Sequence, residues 1–460
     1  MSVDVTVENT LLKRKLAAYE KILKEKERDP LTDLYSRQRF FEETRELLDK
    51  NSKKKFVFLR FDINRFQLIN SFFGLKEGDK LLQYLAFKIK QFALIFQTYI
   101  IGRIEGDVFG MCCQLAGHID VFNAMLQRAV EEFISGYRSD YELSISVGIY
   151  VIEHNDMALE DIYSKAILAA KKCKERTTGP CFVLYDKKLS EAVMKNQRIT
   201  NQMHAALNEK QFEVVLQPKC DLKTGELVGA EALTRWNHPE EGVVPPSEFI
   251  PVFEKNGFIS RFDEYVWTSA CAYIRSWLDK GNCAVPVSVN VSRCDLRNPA
   301  LPDKFKELLA RYNIPAHYLH LEITENAYAE DAKHIAEAVQ RLKDAGLHIE
   351  MDDFGTAYSS LNMLNEIPID TLKLDIGFVR NYKKGRGKDI ILAFIIKLAK
   401  ALELSVIAEG IETEEQAAHL LSLGCENGQG YYFSKPISKK EFDIFAAKRP
   451  KRSASEVSAS

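Results

Sequence analysis

Cysteine chemistry and membrane-spanning runs are the first things this sequence lacks. Its nine cysteines form no CxxC pair and have no histidine at metal-ligand spacing. An odd, scattered set suits neither a disulfide framework nor a zinc site, so they read as reduced thiols. The adjacent Cys112 and Cys113 follow an apolar run and fit strand packing. No apolar stretch reaches the ~20 residues that cross a bilayer, and the opening MSVDVTVENT has no signal-peptide core. The expectation is a cytoplasmic protein without a membrane partner. An excess of charge of one sign is also missing, since 63 Lys and Arg face 65 Asp and Glu, a formal net charge of -2. No global field recruits nucleic acid, so any anionic ligand must be held by a local site.

What is present is enough chain for two or three cores. Leu11, Leu12, Leu16, Tyr19, Ile22 and Leu23 stripe a charged segment that ends at Asp29-Pro30, which predicts an N-terminal helix over 1–28. This helix packs on the next domain or, less simply, forms a short coiled-coil stub. Residues 29–186 then alternate helical and strand-like stretches: helix from Arg37, strand from Phe56, helix from Lys80, strands at Tyr99 and Phe109, helix from Val121, strand from Leu143, helix from Leu159 and a short strand at Cys181. That is an α/β domain. Residues 187–209 read as a polar helical connector. A basic, Ser-rich tail over 449–460 reads as disordered.

Residues 210–448 carry the more informative pattern. Eight β-rich runs, FEVVLQP, LVGAEALTRW, VPVSVNVS, YLHLEIT, LHIEMDD, TLKLD, SVIAEG and GYYF, alternate with helical stretches, which predicts a (β/α)8 TIM-type barrel. Barrel enzymes gather their chemistry at the C-terminal strand ends. The polar residues there are Glu231, Asn290, Glu322, Asp352 with Asp353, Lys373, Glu409 and Gln429. One such residue alone would be an ordinary solvated or capping side chain. Carboxylates converging on one mouth repel one another unless cations neutralise them. The donors are all oxygens, which points to Mg²⁺ or Mn²⁺; Ca²⁺ also fits such a set and is expected to inhibit. Asp352-Asp353 can reach two ions about 4 Å apart, the arrangement that activates water for phosphoryl displacement.

The strings GAEALTRW (Gly229 to Trp236), VNVS, EITEN (Glu322 to Asn326), DDFGTAYSSL (Asp352 to Leu361), LKLD, IAEGIET and QGYYFSKP occur in collinear order and resemble the EAL phosphodiesterase family. The resemblance implies hydrolysis of cyclic diguanylate to linear pGpG with two divalent cations. It also implies one ion on Glu231, Asn290, Glu322 and Asp352, and a second on Asp352, Asp353 and Glu409. Lys373 would orient the attacking water with Gln429 in support, and Gln217 and Arg235 would contact substrate. Glu325 would anchor the loop after Asp353, and Asp375 and Glu412 would stand behind the ligands. A homodimer is implied as well. The alternative is a cyclic diguanylate receptor that does not cleave it, and the one departure favouring it is Ala357, where the family usually has glycine.

Residues 29–186 resemble a GGDEF diguanylate cyclase domain through DPLTDLYSRQRF, FDINRFQLIN, GLKEGDKLL, RIEGDVFG and SISVGI. The signature reads Glu105-Gly106-Asp107-Val108-Phe109, so its first glycine and its metal-binding glutamate are gone. Asn64, Gln67 and Ser71 replace an aspartate, a lysine and a guanine-reading aspartate, and Phe96 and Tyr99 occupy the product-inhibition motif. The resemblance therefore implies a degenerate domain with a regulatory or dimerisation role. Asp62, Asn70, Asp79 and Asp107 remain as candidate GTP contacts, although turn and cap roles account for them more simply.

Overall fold

In the computed structural model, residues 27–137, 141–173, 180–281, 284–325, 327, 332–355, 363–380 and 388–448 are described. The expected N-terminal helix (all but its last two residues), the C-terminal tail and Ala357 lie outside the described residues. The chain divides into two compact units, 1–195 and 196–460.

The first unit is built on β1 (Phe56–Ile63), which pairs antiparallel with β3 (Val108–Gln114) and with β4 (Ile145–Ile152). The sheet order is β2-β3-β1-β4-β5, with β2 (Tyr99–Glu105) and β5 (Cys181–Leu184) at its edges. Strand β1 is buried on both faces because its side chains alternate between two cores. Val57, Leu59, Phe61 and Ile63 meet one helical layer, and Phe56 and Phe58 meet the other. A short helix at Phe66–Phe73 fills a stretch to which the sequence reading gives no element, and the following helix begins at Leu75 rather than near Lys80. Arg65, with φ +57°, makes the break ahead of the first of them. This is an α/β palm.

The helix Lys187–Asn208 leads to the second unit. There β6 (Phe212–Asp221), β7 (Leu227–His238), β9 (Val287–Asn290), β10 (Leu319–Thr324), β11 (His348–Phe354), β12 (Thr371–Leu374), β13 (Ser405–Ala408) and β14 (Asn427–Gln429) close into a ring through the β6–β7 pairing. A short β8 (Gly242–Val244) extends β7 outside it. Within the ring the pairings β7–β9 and from β9 through β14 are parallel, whereas β6 runs antiparallel to both of its neighbours. The barrel is therefore of the (β/α)8 type with its first strand reversed. Aromatic packing seats the reversed strand: the Phe212 ring lies 4.9–5.9 Å from those of Trp236, Phe249, Phe253 and Phe262. Each buried aromatic removes roughly 150–250 Å² from water.

One expected strand is misplaced. The run GYYF is a turn, and the eighth strand is the preceding Asn427–Gln429. The cause is local crowding, because a Cβ on Gly430 would stand 2.1 Å from the Ile411 carbonyl oxygen. The chain passes Ile411 there as backbone alone and then turns.

Candidate functional site

The alternation along each strand sends one side-chain set into the lumen. Strand β7 contributes Glu231 from its middle rather than its end, opposite Gln217 of β6. Strand β10 contributes Glu322, in register with Asn290 at the end of β9. Asp352 and Asp353 come from β11, Lys373 from β12, Gln429 from β14, and Glu409 directly follows β13. After Glu409 the chain turns through Gly410, with φ +68°, where a Cβ would meet Ile376 at 2.1 Å. Only glycine fits there.

Lys373 is fully buried at the centre of this set. Its Nζ lies 2.7 Å from Glu409 Oε1, 2.9 Å from Asp352 Oδ1, 3.0 Å from Glu322 Oε2 and 3.6 Å from Glu231 Oε2. None of these contacts has hydrogen-bond geometry, and Glu322 Oε2 and Gln429 Oε1 are buried without a hydrogen-bond partner. They are ion-pair distances imposed by the strands. Burial disfavours the ammonium, yet Asp352, Glu231, Glu322 and Glu409 hold it charged well above the ordinary lysine range.

Gln429 Nε2 donates to Glu231 Oε2 at 2.5 Å and to Gln217 Oε1 at 3.0 Å, and Gln217 Nε2 donates to the Ser434 carbonyl at 3.2 Å. Glu325 is buried and accepts from the Gly355 backbone N–H at 2.8 Å, tying the end of β10 to the chain after Asp353. Arg235, two turns of the pleat beyond Glu231, donates to the Thr234 carbonyl. Asp375 caps its own turn by accepting from Gly377 N–H, and the backbone N–H of Glu412 donates to Gln416. A cleft of about 710 Å³ opens beside the carboxylates, with Asn290, Thr324, Asp353, Pro246, Ile250 and Arg293 among its walls.

Whether these residues fit divalent cations can be judged from the donors. Two triads have ligand atoms within 4.8 Å of one another, Glu231–Glu322–Asp352 and Asp352–Asp353–Glu409, so Asp352 belongs to both. Among the described residues, Glu231, Glu322, Asp352 and Glu409 all lie within 3.6 Å of the single Lys373 ammonium, and Asp353 joins Asp352 and Glu409, so the carboxylates outnumber the cation that faces them. Divalent cations would offset that excess of negative charge. All donors are oxygens, so the set fits Mg²⁺ or Mn²⁺.

Without cations the excess is met by protons. Burial and then the Glu322 charge push Glu231 well above the ordinary carboxylate range. Burial and then the Asp352 charge push Asp353 up to about 6. Burial pushes Glu409 up to about 7, with Asp352 opposing the downward pull of Lys373. A cation must displace these protons, so binding weakens as pH falls through those values. Affinity for Mn²⁺ is expected to drop about a hundredfold between pH 8 and pH 5.5, measured by titration calorimetry. An unchanged affinity would show that Asp353 and Glu409 are not ligands.

Sequence reasoning missed a second tier of polar groups beneath this one: Lys219, Ser288, His320, His348 and Glu350. Lys219 and Glu350 are almost wholly buried. Their signal was a charged residue two positions deeper than each strand-end residue, in QPKC, LHLE and HIEMD.

Comparison with known proteins follows the same division of the chain. The model of the EAL domain matches residues 200–436, and that of the diguanylate cyclase, GGDEF domain, matches 26–179. The bifunctional diguanylate cyclase/cyclic di-GMP phosphodiesterase MucR of Pseudomonas aeruginosa is 30% identical over 392 residues, covering 84% of this chain and 56% of that protein. The cyclic di-GMP phosphodiesterase NbdA of the same organism is 30% identical over 424 residues, covering 91% and 53%. The chain thus spans about half the length of the curated relatives it matches. Among solved structures, the PaMucR phosphodiesterase in complex with c-di-GMP superposes with a TM-score of 0.51 at 34% identity, covering 53% of this chain and 99% of that one. The EAL enzyme Bd1971, bound to cAMP and cyclic di-GMP, gives a TM-score of 0.53 at 27% identity, covering 65% and 80%. The chain belongs to the EAL domain family, with a GGDEF domain preceding the EAL barrel.

Proposed function

We propose that the barrel is a divalent-cation-dependent phosphodiesterase that opens one phosphodiester bond of cyclic di-GMP and releases linear pGpG. The observation that carries this reading is the pair of carboxylate triads sharing Asp352 around a fully buried lysine. It is supported by relatives described as cyclic di-GMP phosphodiesterases and by a 34%-identical structure holding c-di-GMP.

Glu231, Asn290, Glu322 and Asp352 would hold one ion and Asp352, Asp353 and Glu409 the other. When bound, the ions supply Lewis-acid activation of water and neutralise charge developing on phosphorus. The chain's own groups do the rest. Lys373 Nζ is fixed among four carboxylates, from where it would orient the attacking water. Gln429 holds the Glu231 carboxylate in one rotamer and is itself held by Gln217. Glu325 fixes the backbone after Asp353, and Arg235 with the adjacent cleft receives the nucleotide. In this reading the ligands are intact, which favours hydrolysis over binding alone. Incubation of the protein with cyclic di-GMP and Mn²⁺, with products separated by chromatography, should yield pGpG. Binding without product would replace the enzyme by a receptor.

The GGDEF domain is proposed to be without cyclase activity. Val108 is buried in an apolar cluster with Phe40, Ile104 and Cys112, and its side chain carries no metal-ligating atom. The Asn64 amide is spent on Ser144 and Ser146 at 2.8 and 2.7 Å, and Asp62 pairs with Arg60 at 2.9 Å. Incubation with GTP and Mn²⁺ is expected to give no cyclic di-GMP; formation of the dinucleotide would sink this reading. Weak GTP binding at Asp62, Asn70, Asp79 and Asp107 is a separate matter that equilibrium dialysis decides.

A homodimer is the proposed assembly. Ile390, Ile391 and Phe394 are more than half exposed on the helix Lys388–Ala401, an unusual cost for a solvent-facing helix. Phe394→Asp should shift the sedimenting species from dimer to monomer, and a monomeric wild type would remove the proposal. The protein is further proposed to work in the cytoplasm, where its reduced cysteines are stable; among the described residues no helix is long and apolar enough to cross a membrane.

A further inference from the structure

Beneath the metal-ligating tier, Lys219 is buried among residues of β9, β10 and β11, with its side chain 3% exposed. Because β6 runs backwards, Lys219 lies one tier deeper than Gln217, opposite Gly229 rather than Glu231. Its Nζ reaches Glu322 Oε1 at 2.9 Å, Glu350 Oε2 at 2.6 Å and Ser288 Oγ at 2.5 Å, which uses all three ammonium protons. Glu350 is anchored in turn, since its Oε1 accepts from Ser288 Oγ at 3.0 Å and sits 2.8 Å from His320 Nδ1.

Glu322 is therefore held differently at its two oxygens. Lys219 hydrogen-bonds Oε1 from below, while Oε2 faces Lys373 across the lumen with no hydrogen bond of its own. We propose that Lys219, anchored by Glu350 and Ser288, is a positioning residue that holds the Glu322 carboxylate from beneath and leaves Oε2 turned toward the first cation site. The inference rests on the phosphodiesterase reading of that site. It assigns the lower tier no metal of its own, although His320, His348 and Glu350 lie within 4.8 Å of one another. The two imidazoles are stacked, with centroids 4.0 Å apart and planes only 20° from parallel. Ring lone pairs lie in the ring plane, so rings in this arrangement cannot both aim at one ion. Both Glu350 oxygens are already taken by protein donors.

Lys219 matters for geometry because it bonds a ligand and not the ion. Partners that orient a ligating group typically contribute 10- to 100-fold to metal affinity or activity. Removing Lys219 alone would also strand Glu350, so the informative variant is the double Lys219→Met/Glu350→Gln, which deletes one charge of each sign. Folding is checked by circular dichroism, Mn²⁺ binding by calorimetry, and hydrolysis by steady-state kinetics. The double variant is expected to bind Mn²⁺ about 10- to 100-fold more weakly, with kcat at fixed Mn²⁺ reduced and the substrate KM within about twofold of wild type. Wild-type Mn²⁺ affinity in a folded double variant overturns the proposal. Should the double variant not fold, Ser288→Ala decides, because it loosens Lys219 while keeping every charge: Mn²⁺ binding weakened about threefold or more supports the proposal, and unchanged binding overturns it. A wild type that binds Mn²⁺ but hydrolyses nothing would fail the phosphodiesterase reading instead, and the calorimetry would still test Lys219.

Discussion

Glu231→Gln is expected to lower kcat for cyclic di-GMP hydrolysis by about 10³-fold or more, or some 4 kcal/mol of transition-state stabilisation, without destabilising the fold. The two halves of this prediction come from the same geometry. Glu231 is buried, and burial with the Glu322 charge pushes it well above the ordinary carboxylate range, toward its protonated form, in the cation-free protein. A glutamine has the size of that protonated acid and can still accept from Gln429 Nε2, so the cation-free melting temperature should stay level or rise slightly. Cation binding is different, because an amide oxygen carries no net charge to offset the repulsion of a divalent ion by Lys373. Calorimetry should find the Glu231–Glu322–Asp352 site weakened and the Asp352–Asp353–Glu409 site retained. Full activity in this variant, or loss of folding together with activity, would remove Glu231 from its proposed place.

The sequence shows much of this site because strand periodicity and the mouth of a barrel constrain residue types strongly. An acid at the end of an apolar run, as in HIEMDD, has few structural reasons to be there. It was less informative about depth. Glu231 reads as the end of a run but sits mid-strand, because β7 continues to pair with β6 and β8 beyond it. Lys219 escaped because nothing in FEVVLQPKCD says that the strand runs backwards. Reversal places the residue after the proline deeper in the lumen instead of nearer its mouth. Glu350 and His320 escaped for a related reason: a charged residue inside an apolar run looks like a solvent-facing position, and only the closed ring shows that both sides of such a strand are covered. The GYYF turn was misjudged because aromatic residues favour strands, whereas here the backbone contact at Gly430 decides.

The first unit was legible in its sheet and less so around Phe66–Phe73. That segment has helical spacing but follows directly on a strand, and the left-handed Arg65 which separates them has no sequence signature of its own. Its lost chemistry was visible as single replacements, and the structure supplies their physical content. Val108 joins a core, and the Asn64 amide is consumed by two serines.

Lys373→Met should abolish hydrolysis and, in the absence of cations, destabilise the barrel by about 3–5 kcal/mol, the usual consequence of leaving buried charges uncompensated. Methionine nearly conserves volume, so packing loss is small. No solvent screens the effect, because Lys373 is 0% exposed. What remains is Glu231, Glu322, Asp352 and Glu409 without a counter-charge at their centre. They can lower the cost only by holding protons. An acid whose folded pKa is raised contributes stability below its unfolded pKa and loses it as pH rises through the folded value. Glu409 already stands at about 7 with Lys373 present and must rise further without it. The destabilisation should therefore be small near pH 5 and grow as pH rises through 7 to 8. Bound Mn²⁺ supplies the missing charge and stabilises the folded state by mass action, so millimolar Mn²⁺ at pH 8 should restore most of the lost stability. Urea unfolding at pH 5.5 and pH 8, with chelator or with Mn²⁺, measures all four corners. A loss that is equal at both pH values and indifferent to Mn²⁺ would make Lys373 a packing residue. A loss that follows pH and is reversed by the cation would show that the lysine and the ions neutralise the same carboxylates.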